Sequence, residues 1–223
     1  MKPYYYFLFM LISLFILLKV NKSPKSKIRL IFKMITSLSF MIIGISSYYI
    51  SGSNFYYCLL IIVGLCFSFM GDLFLGIKYI KVNIMFILGV TCFTLTHIFY
   101  SLAFISLIPV NKIDIFSTII LSIIIIFTYI SIDSFNFRNS FIIVCIYIIV
   151  ICFMLCKSLS LIKLDIPSEA TVCIVLGAVL FTASDIILSF VYFYNKPPRF
   201  LSELNLILYY LGQGLIALSI MFI

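Results

Sequence analysis

Charge is scarce in this chain of 223 residues: Asp, Glu, Lys and Arg make up 10% of it, against 65% hydrophobic residues. With a mean hydropathy of +1.30, that composition excludes a water-soluble fold, whose single core needs far less apolar surface. There is no tryptophan and one histidine. A zinc or di-iron site would therefore have to be assembled from scattered carboxylates, and neither a metal nor a cofactor is expected. The alternating ten-residue pattern of a membrane barrel is missing, and no polar stretch is long enough to hold a soluble domain. Cys58, Cys66, Cys92, Cys145, Cys152, Cys156 and Cys173 all fall in apolar stretches without C-x-x-C spacing, where free Cys behaves as a small hydrophobe. The formal charge of +8 is spread over separate loops and not gathered on one face, so nucleic acid is not an expected partner.

What the chain does have is a series of long Ile/Leu/Phe runs separated by polar punctuation. In hydrocarbon every backbone polar group must be bonded within its own segment, which selects helices. Stretches of about 17 to 25 apolar residues give eight expected spans: Tyr4 to Leu18, Met34 to Ile50, Phe55 to Leu75, Ile84 to Ile108, Ile115 to Ile132, Phe141 to Cys156, Thr171 to Tyr192 and Leu204 to Ile223. The expected fold is all-α, a polytopic transmembrane bundle forming one domain over residues 1–223. The first span lacks a small-residue cleavage site and is followed by Lys19, Lys22, Lys25, Lys27 and Arg29, the flank of a retained helix more than of a signal peptide.

The odd-numbered loops carry Lys19 through Lys33, Lys78, Lys81, Arg138, Lys196 and Arg199, whereas the N-terminus and the even loops carry Lys2, Lys112, Lys157 and Lys163. By the positive-inside bias the odd loops are cytoplasmic. A bacterial plasma membrane suits this short chain of AT-rich codon character, and the bilayer is its first partner.

A charge at the bilayer centre costs at least about 2.5 to 3.5 kcal/mol on insertion scales. Asp114, Asp133, Asp165, Glu169 and Glu203 fall in loops or at helix ends and read as solvated or capping groups. Asp72 and Asp185 fall inside spans, and their surroundings echo each other. Each has Gly eight residues before it (Gly64, Gly177), a small residue immediately before it (Gly71, Ser184) and Leu three after it (Leu75, Leu188). Small residues permit close helix approach, so both acids should face the interior. The echo leaves room for a duplicated four-helix unit. His97 in the fourth span has Gly89 on nearly the same face, Tyr209 and Gln213 share one face of the last span, and Lys33 opens the second span where it could pair with an Asp. Ordinary interhelical bonding would also account for His97, Tyr209 and Gln213.

Phe32-Lys33-Met34-Ile35-Thr36, Gly71-Asp72-Leu73-Phe74-Leu75, Gly89 through His97 to Tyr100, Gly177 through Ser184-Asp185, and Tyr209-Tyr210-Leu211-Gly212-Gln213 together resemble the YhhN family of membrane proteins, which includes the lysoplasmalogenases. One departure is visible: the family commonly has Lys-Pro where this chain has Lys33-Met34. The resemblance implies hydrolysis of the vinyl ether bond of a lysophospholipid, giving a fatty aldehyde and a glycerophospho-base.

Such a bond opens by protonation of its outer alkene carbon, which needs a carboxylic acid still protonated near neutral pH. Desolvation and a second carboxylate nearby both disfavour the charged form. Asp72 and Asp185 are the expected acid–base pair, with the acid role open to either of them, supported by Lys33, His97, Tyr100, Ser184, Tyr209 and Gln213. In that reading His97 sets the protonation of a neighbouring Asp, Tyr209 and Gln213 bond the glycerol or the water, Lys33 meets the phosphate or an Asp, and Lys78, Lys81 and Arg199 draw in the headgroup. Two other classes remain open on the residues alone. A proton-coupled transporter or lipid-binding protein would use the paired acids as a relay or a cation site, and a noncatalytic scaffold would use them in packing.

Overall fold

The computed structural model describes residues 2–21, 27–51, 53–77, 82–137, 140–163 and 167–223. Lys22, Lys25, Lys78, Lys81, Arg138 and Asp165 lie outside the described residues. Among those described, eight helices are long and apolar enough to cross a bilayer: α1 (Pro3–Val20), α2 (Lys27–Ser51), α3 (Phe55–Ile77), α4 (Val82–Leu107), α5 (Lys112–Ser131), α6 (Phe141–Ser160), α7 (Ser168–Phe193) and α8 (Arg199–Ser219). The chain is a multi-pass, all-helical membrane bundle. Pro3 starts α1 at a position where its missing N–H is no loss, and Asn111 and Asp114 cap α5 reciprocally through side chain and backbone.

The bundle is apolar outside and mixed within, the reverse of a soluble protein. Phe15, Phe116, Ile123, Phe127, Ile142 and Val172 are exposed, whereas Ser37, Ser68, Thr96, His97 and Gln213 are buried. Many of the serine and threonine hydroxyls spend their hydrogen bonds on carbonyls one turn earlier in the same helix, as Thr96 does on Cys92 and Ser101 on His97, which makes them tolerable in a dry interior. α3 packs on α4 and α7 on α8, each pair in close approach. A Cβ at Gly212 would lie 2.9 Å from the Gly177 carbonyl oxygen and 2.9 Å from the Phe181 nitrogen, so glycine is required for α7 and α8 to touch through their backbones. α2 packs on α8, and α6 packs correspondingly on α4, the exchange that a duplicated four-helix unit would produce.

Three helix ends differ from expectation. α2 begins at Lys27, so Lys33 lies well inside it and does not open it. α6 runs to Ser160, which places Lys157 within the helix and not in a loop; it is fully buried. Arg199 is the first residue of α8. Asp114 is not solvated either: besides capping α5 it accepts an ion pair at 2.9 Å from Lys157, whose ammonium also donates to the Pro109 carbonyl at 2.9 Å. Asp133, Glu169 and Glu203 are exposed, as loop and helix-end acids should be.

Candidate active site

Asp72 and Asp185 each lie near the C-terminal end of an odd-numbered helix, α3 and α7, so both reach the same end of the bundle. They line one polar cavity of about 280 Å³ together with Arg29 and Lys33 from α2, Leu188, Val191 and Tyr192 from α7, and Ser202, Asn205, Leu206 and Tyr209 from α8. Both acids are nearly sealed from solvent, at 2% and 8% exposure.

The two acids have different surroundings. Lys33 Nζ sits 3.0 Å from Asp72 Oδ1. Ser37 and Tyr209 donate their hydroxyls to Oδ2 at 2.6 and 2.7 Å. An ammonium and two hydroxyl donors on one carboxyl satisfy an anion, so Asp72 is held as the carboxylate. Behind it runs a chain of bonds whose direction follows from what each group can give. Tyr100 donates to Gln213 Oε1 at 2.6 Å, Gln213 Nε2 donates to Ser68 Oγ at 2.7 Å, and Ser68 lies 2.7 Å from the Tyr209 oxygen. With both the Gln213 amide and Asp72 committed, Ser68 donates to Tyr209 and Tyr209 donates to Asp72.

Among the described residues Asp185 pairs with no lysine or arginine. Tyr147 donates to its Oδ2 at 2.6 Å, and His97 Nε2 lies 3.2 Å from the same oxygen. His97 Nδ1 stands 3.2 Å from Met154 Sδ. A thioether only accepts, so that contact is a hydrogen bond when Nδ1 carries the hydrogen. Nε2 also lies 3.0 Å from the Tyr147 hydroxyl, so Tyr147, His97 and Asp185 form one hydrogen-bonded cluster; where the Nε2–Asp185 contact is itself a hydrogen bond, the two groups share one proton. The Phe181 ring, 4.6 Å from the imidazole and 5.4 Å from the Tyr209 ring, separates the two groups and holds both in place.

A second, narrow space of about 60 Å³ adjoins the first. It is apolar, walled by Phe86, Val90 and Phe93 of α4, Ile125 and Tyr129 of α5, Val144, Ile148 and Ile151 of α6 and Phe193 of α7. Leu75, Asp185, Leu188 and Tyr192 belong to the walls of both spaces, so Asp185 stands at the junction of a polar and an apolar compartment. Thr182, one turn before Asp185, also faces the apolar slot, and its buried hydroxyl has no partner among the described residues.

Of the residues picked from sequence, the structure gathers Lys33, Asp72, Asp185 and Tyr209 on the cavity, with His97 directly behind Asp185. Several expectations need correction. Asp72 and Asp185 share the cavity but are bonded to separate partners, not to each other. Gln213 and Tyr100 are wholly buried behind Tyr209 and are absent from the cavity wall, so neither reaches a glycerol or a water there. Ser184 is also off the wall; its hydroxyl has no partner among the described residues, and only its carbonyl is used, accepting from Asn205 at 2.8 Å. Lys33, by contrast, meets one of its two expected partners, the carboxylate of Asp72. Sequence reasoning missed Ser37, Arg29, Asn205 and Tyr147. Ser37 and Arg29 were available as the residues one turn either side of Lys33 on the same helical face, and Tyr147 is the one phenol in α6.

Among the described residues no three His, Cys, Asp or Glu side chains are grouped as a metal site. The cysteines are all free and buried or half-buried. No curated protein and no solved structure matches the chain. The sequence profile of the YhhN family matches residues 28–220, from the first turn of α2 through α8, and the chain belongs to that family of membrane proteins.

Proposed function

We propose that this protein hydrolyses the vinyl ether bond of lysoplasmalogens, releasing a fatty aldehyde and a glycerophospho-base. The observation that carries this reading is the position of Asp185 on both compartments: an amphiphile with its tail in the apolar slot and its headgroup in the polar cavity presents the bond between them to this carboxyl. The YhhN family includes lysoplasmalogenases, which accords with it.

In this reading Asp185 is the acid. It transfers the proton it shares with His97 to the alkene carbon remote from oxygen, and the double-bond electrons form the new C–H bond. The oxocarbenium ion left behind is stabilised by the Asp72 carboxylate, which also orients the attacking water. Water adds to the carbon next to oxygen and its proton passes to Asp72, giving a hemiacetal. The hemiacetal's hydroxyl proton moves to the departing glycerol oxygen as the C–O bond breaks, and the proton on Asp72 returns to Asp185 through the cavity. Atoms and charges balance without a cofactor. With one domain in a bacterial plasma membrane and the odd loops cytoplasmic, the cavity would open to the cytosolic leaflet.

Purified protein in detergent, given a lysoplasmalogen, should release aldehyde. Asp72→Asn and Asp185→Asn should each lose at least about 100-fold, the scale of general acid–base contributions, while eluting as the folded species. Unchanged turnover in both variants would remove the mechanism.

A further inference from the structure

Counting charge on the polar cavity gives an unequal result. Lys33 and Asp72 cancel as an ion pair at 3.0 Å. Asp185 and His97, sharing one proton as the proposed mechanism requires, contribute no net charge. Arg29 remains. Its guanidinium lines the cavity, and among the described residues it makes no ion pair. A cation on a partly dry wall without a counter-charge favours a ligand that brings one.

Arg29 is also aimed. Its Nε donates to Asn21 Oδ1 at 2.8 Å, and Asn21 Nδ2 in turn donates to Ser202 Oγ at 3.2 Å. That brace ties the end of α1, the first turn of α2 and the first turn of α8 around the guanidinium, and it leaves the two terminal nitrogens as the fork that suits a phosphate. Ser202 and Asn205, one turn apart in sequence on α8, add polar groups to the same wall. Lys33, four residues after Arg29 on the same face, is occupied by Asp72 and is not available for the role.

We infer that Arg29 is the anion-binding residue of this cavity and that the ligand group it selects is a phosphate on a single-chain lipid, so that it separates phosphate-bearing lipids from uncharged ones of equal chain. The inference rests on the proposed hydrolase reading for its proton count and for the tail in the adjoining slot. Phosphate held at Arg29 places the headgroup at the N-terminal ends of α2 and α8, with the chain passing Asp185 into the slot.

Binding can be tested without turnover, in purified protein, using lysophosphatidylcholine, a monoacylglycerol of the same chain, and inorganic phosphate as competing probes of thermal stability. In wild type, lysophosphatidylcholine should half-saturate at a concentration roughly tenfold or more below the monoacylglycerol, the fold-change expected from one charge-assisted bond. Arg29→Gln should remove that difference while binding the monoacylglycerol as wild type does, and Arg29→Lys should restore part of it. A lipid headgroup as the source predicts that inorganic phosphate alone gives no shift at millimolar concentration; a shift of the same size from phosphate alone would overturn the lipid assignment. Equal preference in wild type and Arg29→Gln would overturn the role of Arg29. Aldehyde release is followed in the same samples: phosphate preference in a wild type that releases no aldehyde overturns the proton count and the hydrolase reading with it, whereas turnover with no phosphate preference overturns only the anion site.

Discussion

Tyr209 is the last donor in a bonding chain that starts at Tyr100, and its hydroxyl ends on Asp72 Oδ2. Removing that hydroxyl would leave Asp72 one donor short and Ser68 without its acceptor. A hydrogen bond to a charged group contributes about 1.5 to 3 kcal/mol. Tyr209→Phe should therefore lower aldehyde release by about 10- to 100-fold, measured as initial rate per folded molecule; an unchanged rate would mean that the chain does not serve Asp72. The sequence pointed to Tyr209 and Gln213 as a pair because they lie four apart, but not to their different duties. Spacing says which residues share a face, not how far each side chain stands from a cavity that only the assembled helices create. Ser184 shows the same limit: it precedes Asp185 directly, and for that reason points away from the cavity wall that Asp185 faces.

The helices themselves were legible because hydrocarbon leaves the backbone one solution. Their ends were less so. Hydropathy marks where side chains stop being apolar, whereas a helix stops where its backbone bonds stop, and α2 and α6 carry their cations several residues inside. Lys157 on α6 is the sharper case. Read as a loop charge, it is fully buried against Asp114 and the Pro109 carbonyl, pinning α6 to the first turn of α5 at the bundle end opposite the cavity. Breaking such a pair strands a buried carboxylate, a loss of about 3 to 5 kcal/mol. Lys157→Met should lower the unfolding midpoint in detergent accordingly, with turnover of the remaining folded protein near that of wild type. A variant as stable as the parent would show that the pair holds nothing.

The molecule as a whole brings its polar groups to the ends of α3 and α7 and keeps its cysteines and its one histidine from forming a metal cluster among the described residues. Vinyl ether protonation by a carboxylic acid calls for no Lewis acid, so EDTA should leave aldehyde release unchanged over the course of an assay. Reversible loss on chelation, restored by a divalent ion, would contradict the carboxylate mechanism. The echo around Gly64-Asp72 and Gly177-Asp185 was visible in the sequence; the crossing of partners was not, since it depends on α2 meeting α8 and α6 meeting α4.

That crossing has its own consequence. Asp72 in the first four helices takes Tyr209 from the last four, and Asp185 in the last four takes His97 from the first four. On the proposed mechanism, reactivity would thus depend on the seam as well as on each half: a small slip along it would slacken the anion and the acid at the same moment, so the centre should fail as one piece and not by degrees.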